Sequence, residues 1–167
     1  MATPRPLAMN DRDRIIRRSV LDRLLQTGDT EPRTWLDSLR VAKVALARDI
    51  EWLLNTRSIA EPAPDALTEL HDSVYHYGLR DVSSLSADST AARRELLRMI
   101  AETIERFEPR LSGVRVREVA KQSEGKREIH FVVEGMMRLP PEPEPISLDT
   151  VLESTSGRFN LSGEAGG

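Results

Sequence analysis

The chain has 167 residues, 39% apolar and 31% charged, which is enough for one domain with a real core. It carries no cysteine, which excludes a disulfide scaffold, a thiolate zinc site and a Cys nucleophile, and fits a reducing compartment. The formal charge of −3 is spread as mixed acids and bases, leaving no nucleic-acid footprint. No apolar run approaches the roughly 20 residues of a membrane helix, and the opening MATPRPLAMN lacks the apolar core of a secretory signal.

In chain order, residues 1–12 are expected to be flexible. DRDRIIRRSVLDRLLQ then places Ile15, Ile16, Val20, Leu21, Leu24 and Leu25 on one helical stripe, ended by Gly28. Its arginines are interleaved with Asp11, Asp13 and Asp22 and read as a solvated face. TGDTEPRT is a turn-rich connector. The longest helix is predicted from about Trp35 to Thr56, with Leu36, Leu39, Ala42, Leu46, Ile50 and Leu53 sharing a face. Val41, Val44, Ala45 and Trp52 widen that face, which predicts burial on more than one side. Asn55 is expected as its C-terminal cap.

AEPAPD is a stiff linker, because its two prolines fix φ and break the helix. A short helix near 65–77 stops at Gly78. A third long helix begins near Thr90 as N-cap, with Leu96, Leu97, Ile100, Ile104 and Phe107 facing the core. After Pro109 the period changes from helical to two. GVRVREVAKQ alternates at Val114 and Val116; SEGK reads as a hairpin turn around Gly125. KREIHFVVEGMMRL sends Ile129, Phe131, Val133, Met137 and Leu139 one way and Glu128, His130, Glu134 and Arg138 the other. PPEPEP is an extended connector, ISLDTVLE a third strand, and Arg158–Leu161 a last short strand.

Helices first and strands second predict an α+β fold. The N-terminal helices should pack on one face of a three- to four-stranded, mainly antiparallel C-terminal sheet. A single domain is expected over 13–161, with a flexible tail at 162–167.

Candidate chemistry is sparse, and no catalytic, cofactor-binding or metal-ligating residue is singled out. His71 and His76 are five apart, about 140° around a helix rather than on one face. No glycine-rich elbow, P-loop or dinucleotide fingerprint is present. The alternative to a structural role is a two-carboxylate peptidoglycan glycan hydrolase, drawing on Glu108, Glu128 and Glu134 at a separation of ~5–10 Å. Against it, 27 acidic residues make some close pair nearly certain in any fold, and few aromatic side chains remain to line a sugar cleft.

Glu108-Pro109-Arg110 lies on the seam between the last helix and the first strand. Proline lacks a backbone N–H and pushes Glu108 away from helical angles, so the chain turns there. Arg110 offers a flat fork for a carboxylate or backbone carbonyls. A local ion pair, worth about 0–1 kcal/mol at a surface, is the plain reading of the two charges.

SVLDRLL at 19–25, RDIEWLLNTR at 48–57, SVYHYGLRD at 73–81, IERFEPRLSGVRV at 104–116 and ISLDTVLESTSGRF at 146–159 follow one another in order. Together they resemble the type VI secretion baseplate family TssE. That family is related to the wedge protein of contractile phage tails and has historically been called lysozyme-like. The resemblance implies a non-enzymatic wedge subunit in the cytoplasm, recruited to the cytoplasmic side of the inner membrane. It implies TssF, TssG and TssK as baseplate partners and the sheath subunits TssB and TssC beyond them. No cofactor, nucleic acid or direct membrane insertion is implied. Carried over, Glu108, Pro109 and Arg110 would engage the wedge core, and strands near 146–161 would offer the sheath an edge for strand addition.

Overall fold

A computed structural model describes residues 15–25, 32–59, 61, 64, 66–71, 73–81, 89–120, 128–140 and 142–164. Its elements run α1 (Val20–Leu24), α2 (Trp35–Asn55), α3 (Thr68–His71), a 3₁₀ turn (Val74–His76), α4 (Thr90–Phe107), then β1 (Leu111–Glu118), β2 (Glu128–Met137), β3 (Glu144–Glu153) and β4 (Arg158–Glu164). The strands form one sheet in the order β1-β2-β3-β4, every neighbour antiparallel. The fold is α+β, as the order of the periodicities predicts. Segment 1–12, Gly28 and the hairpin turn around Gly125 lie outside the described residues, as does the end of the expected tail, where β4 runs on to Glu164.

Thr34 starts α2 by accepting the Asp37 N–H at 3.1 Å, while its own hydroxyl donates to the Asp37 carboxylate at 2.8 Å. Leu46, Ile50, Leu53 and Leu54 are buried along its inner face. On α4 the buried residues are Leu96, Ile100 and Ile104, with Leu97 and Phe107 packed at the margin of the core. Both helices close over Phe131, Val133, Met137, Ile146, Leu148, Leu152 and Phe159 of the sheet. Each such aliphatic or aromatic side chain contributes about 1.5–3 kcal/mol when fully buried. Val132, on the face that alternation assigns to solvent, is buried as well, between Arg117 and Asp149 in register.

Gly78 ties the segment between the long helices to the end of α2. Its φ is 109°, and a Cβ there would stand 2.5 Å from the Thr56 carbonyl oxygen, so only glycine fits. The approach lets the Leu79 N–H donate to that oxygen at 2.8 Å and sinks the Leu79 side chain into the core.

Four expectations need correction. The N-cap of α4 is Ser89, one residue early, because its hydroxyl accepts the Ala92 N–H at 3.4 Å. Asn55 does not cap α2. Its side chain donates to the Phe159 carbonyl at 2.8 Å and accepts the Phe159 N–H at 2.9 Å, pairing with the outer edge of β4. The long first helix is a five-residue α1, and its apolar stripe is turned outward: Val20, Leu21, Leu24 and Leu25 are exposed while Asp22 is buried. The strands near 146–161 are not an open edge. β3 is paired on both sides, and β4 is closed at Phe159 by Asn55 and at Leu161 by Glu51, which accepts the Leu161 N–H at 3.0 Å. Helical side chains thus cover the strand edge, a common protection against unwanted pairing.

Candidate functional site

The helix-to-sheet corner is built by the end of α4. Glu108 leaves helical angles at φ −116° while its N–H still donates to the Ile104 carbonyl at 2.8 Å. Pro109 and Arg110 complete the turn, and the Leu111 N–H returns to the Glu108 carbonyl at 3.1 Å. The bend is therefore fixed by backbone bonds on both sides of a residue that cannot continue the helix.

Inside this bend Glu108 turns inward. The residue is 5% exposed, and its Oε1 accepts both the Arg110 backbone N–H at 3.0 Å and Arg110 Nε at 2.7 Å. Oε2 accepts from Arg110 Nη2 at 2.5 Å, completing a bidentate, charge-assisted pair. The same Nη2 reaches Asp49 of α2 at 2.7 Å. Asp49 in turn accepts Arg48 Nε at 3.0 Å and Nη2 at 2.7 Å, and Arg48 Nη1 donates to Asp22 of α1 at 2.5 Å. Five alternating charges, Glu108, Arg110, Asp49, Arg48 and Asp22, form one chain from the corner across α2 to α1.

The electrostatics follow this order. The hydrogen bonds that Arg110 donates to Glu108 raise its pKa, with burial opposing and Asp49 adding to the rise. Arg48 is raised chiefly by Asp22. Its hydrogen bond holds the Asp22 carboxyl below the ordinary value of 3.8 against burial, and the Ser19 hydroxyl assists at 2.7 Å. Burial pushes the nearby Tyr77 phenol up, with the Asp49 and Glu108 carboxylates adding to it; the ring lies edge-on to Phe107 at 5.5 Å.

Of the three residues expected to meet a partner, Pro109 is exposed and Arg110 partly so, whereas Glu108 is buried and spent within the chain. The local ion pair read from the sequence is formed, and it turns Glu108 inward: its nearest cation is two residues away, and the bend aims one at the other. Sequence reasoning missed Asp49, which joins the corner to α2. A signal was present, since Asp49 lies three residues after Leu46 and four before Leu53, on the apolar face of the helix. A carboxylate on that face calls for a cation beside it, and Arg48 and Arg110, both partly exposed, supply it.

The carboxylates of the hydrolase reading do not converge. Glu108 belongs to the corner, whereas Glu134 is bonded to Arg117 at 2.9 Å and Glu128 stands 3.4 Å from His130 Nε2 on the outer face of the sheet. His76 lies edge-on to Tyr75 at 5.0 Å; the His71 side chain falls outside the described residues. Among the described residues no group of three His, Cys, Asp or Glu side chains is placed to hold a metal ion, and no helix is long and apolar enough to cross a membrane.

The fold and the corner define a small α+β structural module, organised around a braced helix-to-sheet bend. The family described as baseplate wedge protein gp25 matches residues 40–142, from within α2 through β2, and the chain belongs to that family. Its role is accordingly that of a structural baseplate component. No curated protein matches the chain.

Proposed function

We propose that the chain is the TssE wedge subunit of a type VI secretion baseplate. In this reading it joins TssF and TssG, and TssK through them, on the cytoplasmic side of the inner membrane and helps to start the sheath of TssB and TssC. The match to the baseplate wedge family over residues 40–142 carries the reading. The braced corner within the matched segment supports it, because a wedge joint needs a bend that holds its angle under load.

At the corner, Pro109 and the open side of Arg110 meet the wedge core, and Glu108 positions Arg110 from behind. Sheath contact by backbone pairing falls to the far end of β1. The Val119 N–H donates to the His130 carbonyl at 2.9 Å, so by alternation Arg115 and Arg117 face β2 while Val116 and Glu118 face outward. Nearer the corner that edge is closed, since Glu105 of α4 accepts the Val114 N–H at 3.2 Å.

Co-expression with TssF and TssG, followed by isolation of a three-protein complex, tests the proposal. Purification of the chain without either partner would overturn it. Turnover of peptidoglycan by the wild type, abolished in Glu108→Gln, would restore the hydrolase reading.

A further inference from the structure

Tyr77 is fixed at both its backbone and its ring. Its N–H closes the 3₁₀ turn by donating to the Val74 carbonyl at 3.2 Å. The two residues after it are pinned to the end of α2: a Cβ on Gly78 would strike the Thr56 carbonyl oxygen, and the Leu79 N–H donates to that same oxygen at 2.8 Å. The ring is half-buried against the core and lies edge-on to Phe107, the last residue of α4 and the neighbour of Glu108. A tyrosine has only two side-chain torsions, so little freedom remains to be lost when it meets a partner.

Nothing inside the chain uses its hydroxyl. The oxygen makes no hydrogen bond with any described residue, and it is not sealed from solvent. For packing against Phe107 a phenylalanine would serve as well. One end of Arg110 is idle in the same way. Its Nε and Nη2 are spent on Glu108 and Asp49, whereas Nη1 donates to no described residue. A phenol and half of a guanidinium thus remain open at the corner that displays Pro109. A buried Tyr hydroxyl ordinarily finds a partner, and rigid, partly desolvated Tyr and Arg side chains are the types that anchor protein interfaces.

The charge around the phenol selects the group it can meet. The charged side chains near enough to act on it are the Asp49 and Glu108 carboxylates and the Arg110 guanidinium, two negative and one positive. Burial and both carboxylates push its pKa up, so the hydroxyl keeps its proton and donates. A carboxylate brought to it would stand beside two others of the same sign, whereas a backbone carbonyl carries no net charge to repel.

We propose that Tyr77 is a partner-contact residue of the helix-to-sheet corner, its hydroxyl donating to a backbone carbonyl of the wedge subunit that Pro109 and Arg110 meet. This rests on the wedge reading and extends that contact to the segment between α2 and α4. Glu108 and Asp49 hold Arg110, and Phe107 and the Gly78 tie hold Tyr77, so both donors are set before the partner arrives.

Titration of the full chain against a purified TssF–TssG complex is the measurement. Tyr77→Phe keeps the ring and removes only the hydroxyl. It should weaken binding about tenfold, the size of one hydrogen bond lost at an interface, with the melting midpoint unchanged. Wild-type failure to bind the complex removes the wedge reading itself. Equal binding by wild type and Tyr77→Phe overturns the contact and leaves that reading standing. A lowered melting midpoint in Tyr77→Phe would mean that the hydroxyl serves the fold, and overturns the contact as well. The acceptor is read from Asp49→Asn, which takes a negative charge from beside the phenol. Binding no tighter than wild type is expected for a carbonyl; tighter binding identifies a carboxylate acceptor and overturns that assignment.

Discussion

Helices α1 and α4 carry apolar stripes of the same helical spacing, and the fold treats them oppositely. On α4, Leu96, Ile100 and Ile104 are buried against the sheet; on α1, Val20, Leu21, Leu24 and Leu25 look outward. Length decides part of this. Eighteen residues span about 27 Å, enough to lie along a strand pair, whereas five residues make little more than one turn. Polar anchoring decides the rest. The Ile16 N–H donates to Ser38 at 3.1 Å, and Arg48 takes Asp22, so α1 is seated by its polar side. An apolar stripe announces that a face will be covered. It does not say whether the cover belongs to the same molecule.

The sharpest way to break this contrast is a pair of truncations. Ile100→Ala, at a fully buried site, should cost about 2–5 kcal/mol in urea unfolding. Leu24→Ala, at an exposed site, should stay within about 0.5 kcal/mol. Comparable losses at the two positions would mean that α1 packs inward after all.

Next in size is the brace. Arg110→Ala leaves the Glu108 carboxylate buried without its cation. Losing one partner of a buried pair is destabilising by 3–5 kcal/mol, and the partial exposure of Arg110 reduces this to about 2–3 kcal/mol. Removing both charges as Glu108→Gln with Arg110→Met should be milder than the single change, because no orphaned charge remains. If the double variant is the less stable of the two, the corner is held by something other than its ion pair.

Smaller again is the hold on α1. The Asp22 carboxyl is depressed in the folded state, so its contribution is fully present above the ordinary value of 3.8 and is lost as pH falls below it. Arg48→Ala should mimic the acid state at neutral pH. Limited proteolysis should then cut near Leu24 and Leu25 faster while α4 stays protected, and equal protection of α1 at pH 3 and pH 7 would contradict the assignment.

Most of the scaffold was legible because it rests on long local patterns. The Trp35–Asn55 and Thr90–Phe107 helices follow from a 3.6-residue period bounded by capping residues, and Pro109 marks the change to strands. Asn55 was misread because an Asn near a helix end looks the same whether it caps that helix or reaches a strand 104 residues away. Glu108 and Arg110 were found and their local pairing was the plain reading, but the burial of Glu108 and the extension of the pair to Asp49 were not legible, since both depend on where α2 packs.

By itself, then, the amino-acid order determined the two long helices, the strands, their α+β succession and the place of the bend, because these depend on periodicity and on proline within a few residues. Only the tertiary structure decided that Asp49 joins the corner to α1, that Asn55 and Glu51 close the last strand, and that the first apolar stripe is left uncovered. Those outcomes depend on which charges and edges meet across distant parts of the chain, where a single long-range hydrogen bond or ion pair can outweigh a short local preference.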